Sequence, residues 1–199
     1  MSKSPIQNGL ILFATTMFLF FVVYYFFANA NYWEFTMKAN AFVMPFVYTI
    51  GGFTSVYILR GKDFITFTQA FKQAFTTLFI GGFLSILSMF LFLNYGDTDA
   101  RDLLNHQYIS TEIKNLDTAY QQQKKDLAAI KNKDQAAEKS KELEKNYSDA
   151  KKGREAALQE NRNYFSFSFL SAVFGGIILF YLLLSIVIAA FLKNKKRYE

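Results

Sequence analysis

YFSFSFLSAVFGGIILFYLLLSIVIAAFL, residues Tyr164–Leu192, runs for 29 residues without a charged side chain. A helix needs about 20 apolar residues to cross a ~30 Å hydrocarbon core, so this stretch reads as a membrane span. Three more precede it, at Gly9–Ala28, Ala39–Leu59 and Gln73–Leu93. None shows the alternation of a barrel strand. A soluble chain of 199 residues would not bury four such segments. The expected fold is an all-α membrane protein with four transmembrane helices. Residues 1–93 hold spans one to three (9–28, 39–59, 73–93), and residues 164–199 hold the fourth span and a basic tail.

Between spans three and four the composition inverts. Asn94–Arg162 carries 13 of the 22 Lys+Arg and 13 of the 16 Asp+Glu, and so sums to zero. The net charge of +6 therefore comes from elsewhere. A neutral insert argues against nucleic acid as a partner. The chain has no cysteine and one histidine, His106. Thiolate chemistry, disulfides and multi-His metal sites are thereby excluded, and neither a cofactor nor a metal is expected.

The surplus cations set the expected topology. Lys3, Arg60, Lys62, Lys72, Lys193, Lys195, Lys196 and Arg197 fall on the side of the termini, against Lys38 alone in the first loop of the other side. Long loops are weak topology signals, so the cations of the insert count for little. By the positive-inside rule both termini are cytoplasmic and the insert is periplasmic, which places the protein in a bacterial inner membrane. Tyr24, Tyr25, Tyr32, Trp33 and Tyr95 then lie at the outer interface, where amphipathic rings favour that depth. Ala28-Asn29-Ala30 matches a signal-peptide cleavage pattern, but the apolar run before it exceeds the usual 7–15 residues. A retained first span is the expectation and cleavage after Ala30 the alternative.

The insert, residues 94–163, reads as a helical hairpin. It lacks proline and is rich in Ala, Leu, Lys, Glu and Gln, which are strong helix formers. Ile109, Ile113, Leu116, Tyr120, Leu127 and Ile130 recur at heptad spacing, as in a coiled coil, with Gln123 as a gap. Leu143, Tyr147, Ala150 and Ala157 form a second stripe. One unbroken helix would extend ~85 Å and could not return the chain to span four. Two antiparallel helices turning near 131–135 do so and project ~40 Å. The second helix is expected to run into span four without a break. The seam is thin, which leaves the hairpin as either a solvated spacer or a docking surface for a partner or a second copy.

Gly51, Gly52, Gly81, Gly82, Gly175 and Gly176 fall near the centres of spans two, three and four. Small residues let helix backbones approach closely in lipid, so these pairs predict a tight waist, or else a groove for a lipid tail or solute. Pro45 is expected to kink span two. Phe64–Lys72 reads as an interfacial turn, with Thr66 or Thr68 as a helix cap. No charged residue lies inside a span, which disfavours ion-coupled transport. His106 lies close in sequence to Asp99, Asp102 and Glu112, but no nucleophile is spaced to work with it.

At Ile65-Thr66-Phe67-Thr68-Gln69-Ala70-Phe71-Lys72-Gln73, and again from Gly175-Gly176-Ile177 to Lys193, the chain resembles a domain-of-unknown-function family of four-span inner-membrane proteins common in Bacteroidota. Family members often carry a proline where Asn94-Tyr95-Gly96-Asp97 stands here. The resemblance implies a location and a topology without a chemistry, and a membrane glycosyltransferase as candidate partner. The expected function is a non-enzymatic accessory or scaffold subunit that meets a membrane or periplasmic protein, or itself, through the hairpin or the glycine-rich face. The alternative is a lipid or small-solute carrier through the waist. A weaker third is a lipid-modifying enzyme around His106.

Overall fold

The structure is a computed structural model that describes all residues except Met1, Ser2, Ala30, Lys62, Asp63, 129–132 and 195–199. The described residues form helices joined by short turns and irregular connections, with no strand among them. Two compact units emerge: Met1–Thr98 with Phe165–Glu199, and Asp99–Tyr164. Four helices of the first unit are long and apolar enough to cross a membrane, as a multi-pass protein requires.

Local chemistry starts and stops these helices. Ser4 caps α1 (Pro5–Phe27), its Oγ accepting from the Gln7 N–H, and Pro5 occupies the first turn, where its missing donor does no harm. α2 (Tyr32–Lys38) passes through a π-helical turn (Ala39–Val43) into α3 (Met44–Arg60). The π turn lies directly before Pro45, where the ring would clash with a regular preceding turn. The expected loop Asn29–Lys38 is thus mostly helix. Gly61 ends α3 with φ +50°, which a side chain would resist.

α4 (Phe67–Leu91) begins with a complete capping box: Thr66 Oγ1 accepts from Gln69 N–H, and Gln69 Oε1 accepts from Thr66 N–H. Thr66 is therefore the cap, and Phe67–Lys72 belongs to the long helix and forms no interfacial turn. A second π turn (Phe92–Gly96) extends α4. There Asn94 Nδ2 donates to the carbonyls of Phe90 and Phe165, pinning the turn to the chain just before α7 (Phe167–Leu192).

α4 is the centre of this unit and packs against α1, α3 and α7. Val56, Ile65, Ala70, Ala74, Ile188, Ala189 and Leu192 form one buried cluster; Leu12, Tyr48, Leu78 and Tyr181 form another. Large apolar side chains such as Phe18, Phe46, Leu179, Leu183 and Phe191 stay exposed, as lipid permits and water would not.

The second unit holds α5 (Thr98–Ala128, all but its first residue) and α6 (Lys133–Gln159). The expected turn near 131–135 falls partly outside the described residues. α6 does not run into α7. Arg162 N–H donates to the Ala157 carbonyl and Asn161 N–H to that of Leu158, with Asn161 at φ +47°. This is a Schellman stop with asparagine in place of the usual glycine.

Candidate functional site

Within the second unit, α5 and α6 meet along the seam that the heptads outline. Ile109 is buried, and Ile113, Leu116, Tyr120, Leu127, Leu143 and Tyr147 are half-buried, while Ile130 lies outside the described residues. Contacts pair Tyr120 with Tyr147, Asp117 with Lys151 and Glu112 with Arg154, so the two helices run antiparallel.

The middle of the seam is polar and aromatic. The Tyr120 and Tyr147 rings stack at 4.1 Å. Tyr147 Oη donates to Asp117 Oδ1 at 2.7 Å, and Lys151 Nζ donates to the same oxygen at 3.2 Å and to Tyr147 Oη at 3.0 Å. Lys124 and Lys151 flank the stack, 5.7 Å from Tyr120 and 5.4 Å from Tyr147. The Tyr147 hydroxyl, then Lys151, hold the Asp117 carboxyl below its usual range. The Tyr147 and Asp117 hydrogen bonds push Lys151 up to about 12. Sequence reasoning placed both tyrosines on the seam and missed Asp117 and Lys151. The signal was there in the spacing: Asp117 lies one turn before Tyr120, and Lys151 one turn after Tyr147.

Toward the chain ends of this unit, a cavity of about 360 Å³ opens among Tyr108, Ile109, Glu112, Asp149, Arg154 and Tyr164. Burial, then the Glu112 charge, raises the pKa of Tyr108. Asn105 Oδ1 accepts from Tyr164 N–H at 3.0 Å and ties the end of the unit to its beginning. His106 is exposed, and two of its three candidate carboxylates are engaged elsewhere, Asp102 with Arg101 and Glu112 with Arg154. Among the described residues no three His, Asp or Glu side chains gather to hold a metal ion.

In the transmembrane unit the glycines divide. Leu12 of α1 fits between Gly51 and Gly81; an added Cβ would come 3.0 Å from Leu12 Cδ1 at the first and 2.9 Å from Leu12 Cγ at the second. Gly52 faces Ile188 and Leu78, and a Cβ on Gly82 would lie 2.6 Å from Tyr181 Cε2. Gly175 and Gly176 are exposed, and a Cβ on either meets nothing within 4 Å. They take no part in a waist; the α7 residues that enter the close approach are Tyr181 and Ile188. At Gly9, absent from the expected set, an added Cβ would lie 2.8 Å from Ile80 Cβ.

A buried polar knot joins α1, α3 and α4. Ser55 Oγ accepts from Asn8 Nδ2 at 2.9 Å and from Gln73 Nε2 at 3.0 Å. Its own hydrogen is then left for Thr77 Oγ1 at 2.8 Å, and Thr77 passes its hydrogen to the Pro5 carbonyl at 3.3 Å. Gln73 Nε2 also reaches the Lys3 carbonyl at 3.2 Å. Asn8 and Gln73 lie at the ends of the apolar runs, where the sequence alone does not single them out. Of the topology cations, Arg60 ends α3, Lys72 is exposed on α4 and Lys193 caps α7. Lys62, Lys195, Lys196 and Arg197 lie outside the described residues.

No curated protein and no solved structure matches the chain. A family model does, over residues 7–194, nearly the whole length. The chain therefore belongs to the family described as Protein of unknown function (DUF4199).

Proposed function

We propose that the protein is a non-enzymatic accessory or scaffold subunit of a bacterial inner membrane, with cytoplasmic termini, whose α5–α6 pair docks a partner protein outside the cytoplasm. The observation that carries this reading is the Tyr120–Tyr147–Asp117–Lys151 knot. A mere spacer needs no such brace, while a docking surface needs a defined shape. Arg60, Lys72 and Lys193 at one end of the spans support the orientation. A membrane glycosyltransferase is the first partner to test, on the family resemblance.

The carrier reading has less support. Leu12, Leu78, Ile188 and Tyr181 already fill the space beside Gly51, Gly52, Gly81 and Gly82. The test is affinity capture in mild detergent of the full chain and of a chain lacking Gln107–Gln159. A stoichiometric partner should be lost with those residues while membrane insertion persists. A partner kept by the shortened chain rejects the helix pair as the docking element. Solute flux in vesicles that Gly82→Leu abolishes would favour the carrier.

A further inference from the structure

α4 carries phenylalanine at every fourth position from Phe67 through Phe71, Phe75 and Phe79 to Phe83. Successive ring centroids are 6.3, 5.9, 5.9 and 5.9 Å apart, and three of the four pairs lie within 16° of parallel. Part of the row serves helix packing: Phe71 and Phe75 lie against the two buried clusters, and Phe79 and Phe83 each meet Phe174 of α7 at 5.8 Å. Phe67 and Phe83 are exposed, at 40% and 44%, and the rings between them are half-buried. The row is a ribbed apolar lane on the flank of the helix. From Phe67 to Phe79 it is ~18 Å long at 1.5 Å per residue. That is close to the ~15 Å depth of one leaflet of the hydrocarbon core.

The lane ends at a fixed cation. Lys193 Nζ lies 5.8 Å from the centre of the Phe67 ring. Lys193 is no loose tail residue, because the next residue, Asn194, hydrogen-bonds twice to the backbone of Ile65. Lys72 is exposed on the same helix, about 100° around it from Phe71. The first turn of α4 holds no acidic residue. Among the described residues no carboxylate pairs with Lys193 or Lys72. An apolar lane with Lys193 at its end and Lys72 on the same helix, neither paired with a carboxylate among the described residues, complements an amphiphile with a negative head. A zwitterionic head would bring its own cation to the lysines.

We propose that this face holds one anionic phospholipid, its phosphate against Lys193 and Lys72 and an acyl chain along Phe67–Phe79. The site stands whether or not the α5–α6 pair docks a partner. The experiment is native mass spectrometry of delipidated full-length protein titrated with dioleoylphosphatidylglycerol or dioleoylphosphatidylcholine. The phosphatidylglycerol adduct should survive several-fold better. Lys193→Gln and Lys72→Gln should each weaken it about fivefold, as expected for one cation near a charged head group, and Lys193→Arg should retain it. Phe71→Ala should weaken the dioleoyl lipid but not a dihexanoyl one. Both lysines are exposed, so circular dichroism of the glutamine variants should match the parent. Equal retention of the two lipids overturns the proposal, as does an unchanged adduct in the double glutamine variant. Displacement of the lipid by inorganic phosphate alone also overturns it, by assigning the cations to a free anion.

Discussion

Asn194 closes two hydrogen bonds on the backbone of Ile65: its Oδ1 accepts from the Ile65 N–H at 2.7 Å, and its N–H donates to the Ile65 carbonyl at 3.2 Å. The two residues are 129 positions apart. The pair fastens the end of α7 to the strap before α4 and fixes the cap that starts the central helix.

Asn194→Ala should lower stability by about 1–3 kcal/mol, because it removes the acceptor of a partly buried N–H. Asn194→Asp keeps an acceptor oxygen and should recover most of the loss. Thermal unfolding in detergent reads both. A variant as stable as the parent would show that the pair is incidental.

Ser55 is the hub of the buried knot. Ser55→Ala deletes the shared acceptor of Asn8 Nδ2 and Gln73 Nε2 and the donor to Thr77. The expected cost is about 1–3 kcal/mol, toward the low end because hydrogen bonds in membranes measure modestly. Ser171→Ala, at an exposed serine of α7, should cost nothing measurable. Equal unfolding of the two variants would refute the assignment.

The glycines give a sharper contrast. Gly82→Ala drives a methyl into Tyr181 and should cost about 1–3 kcal/mol through overpacking. Gly175→Ala and Gly176→Ala meet open space. Each should be neutral or stabilising by up to about 1 kcal/mol, the helix propensity that alanine gains over glycine. Unfolding by graded denaturing detergent orders the three, and destabilisation at Gly175 or Gly176 would point to a neighbour packed on that face of α7.

The seam of the second unit should depend on pH at both extremes. The folded pKa of Asp117 is depressed, so its contribution is present above the unfolded value near 4 and is lost as pH falls through the lower folded value. That of Lys151 is raised to about 12 from 10.5, so its contribution is complete below 10.5 and is lost as pH rises toward 12. Hydrogen-exchange protection factors of α5 and α6 peptides in the full chain, corrected for the intrinsic rate at each pH, should be highest between these limits. Asp117→Asn should flatten the acid side while leaving the protection of α4 unchanged.

Length and charge determined much of this protein before any packing is considered. Crossing a bilayer depends on a local, additive property, so four charge-free runs suffice to place four spans. The helicity of the insert and the stripe through Tyr120 and Tyr147 follow likewise from local propensity and spacing. Tertiary structure decided the rest. α7 is apolar all round, so its sequence does not say which side faces its neighbours, and Gly175 and Gly176 turned outward while Tyr181 turned in. The stop at Asn161 rests on a left-handed residue that asparagine tolerates but does not announce. Asn8 and Gln73 look like ordinary polar ends of apolar runs until α1 and α4 bring them to one serine of α3. Such pairings depend on the rotation of each helix about its own axis, and only the packing of all four spans together sets that rotation.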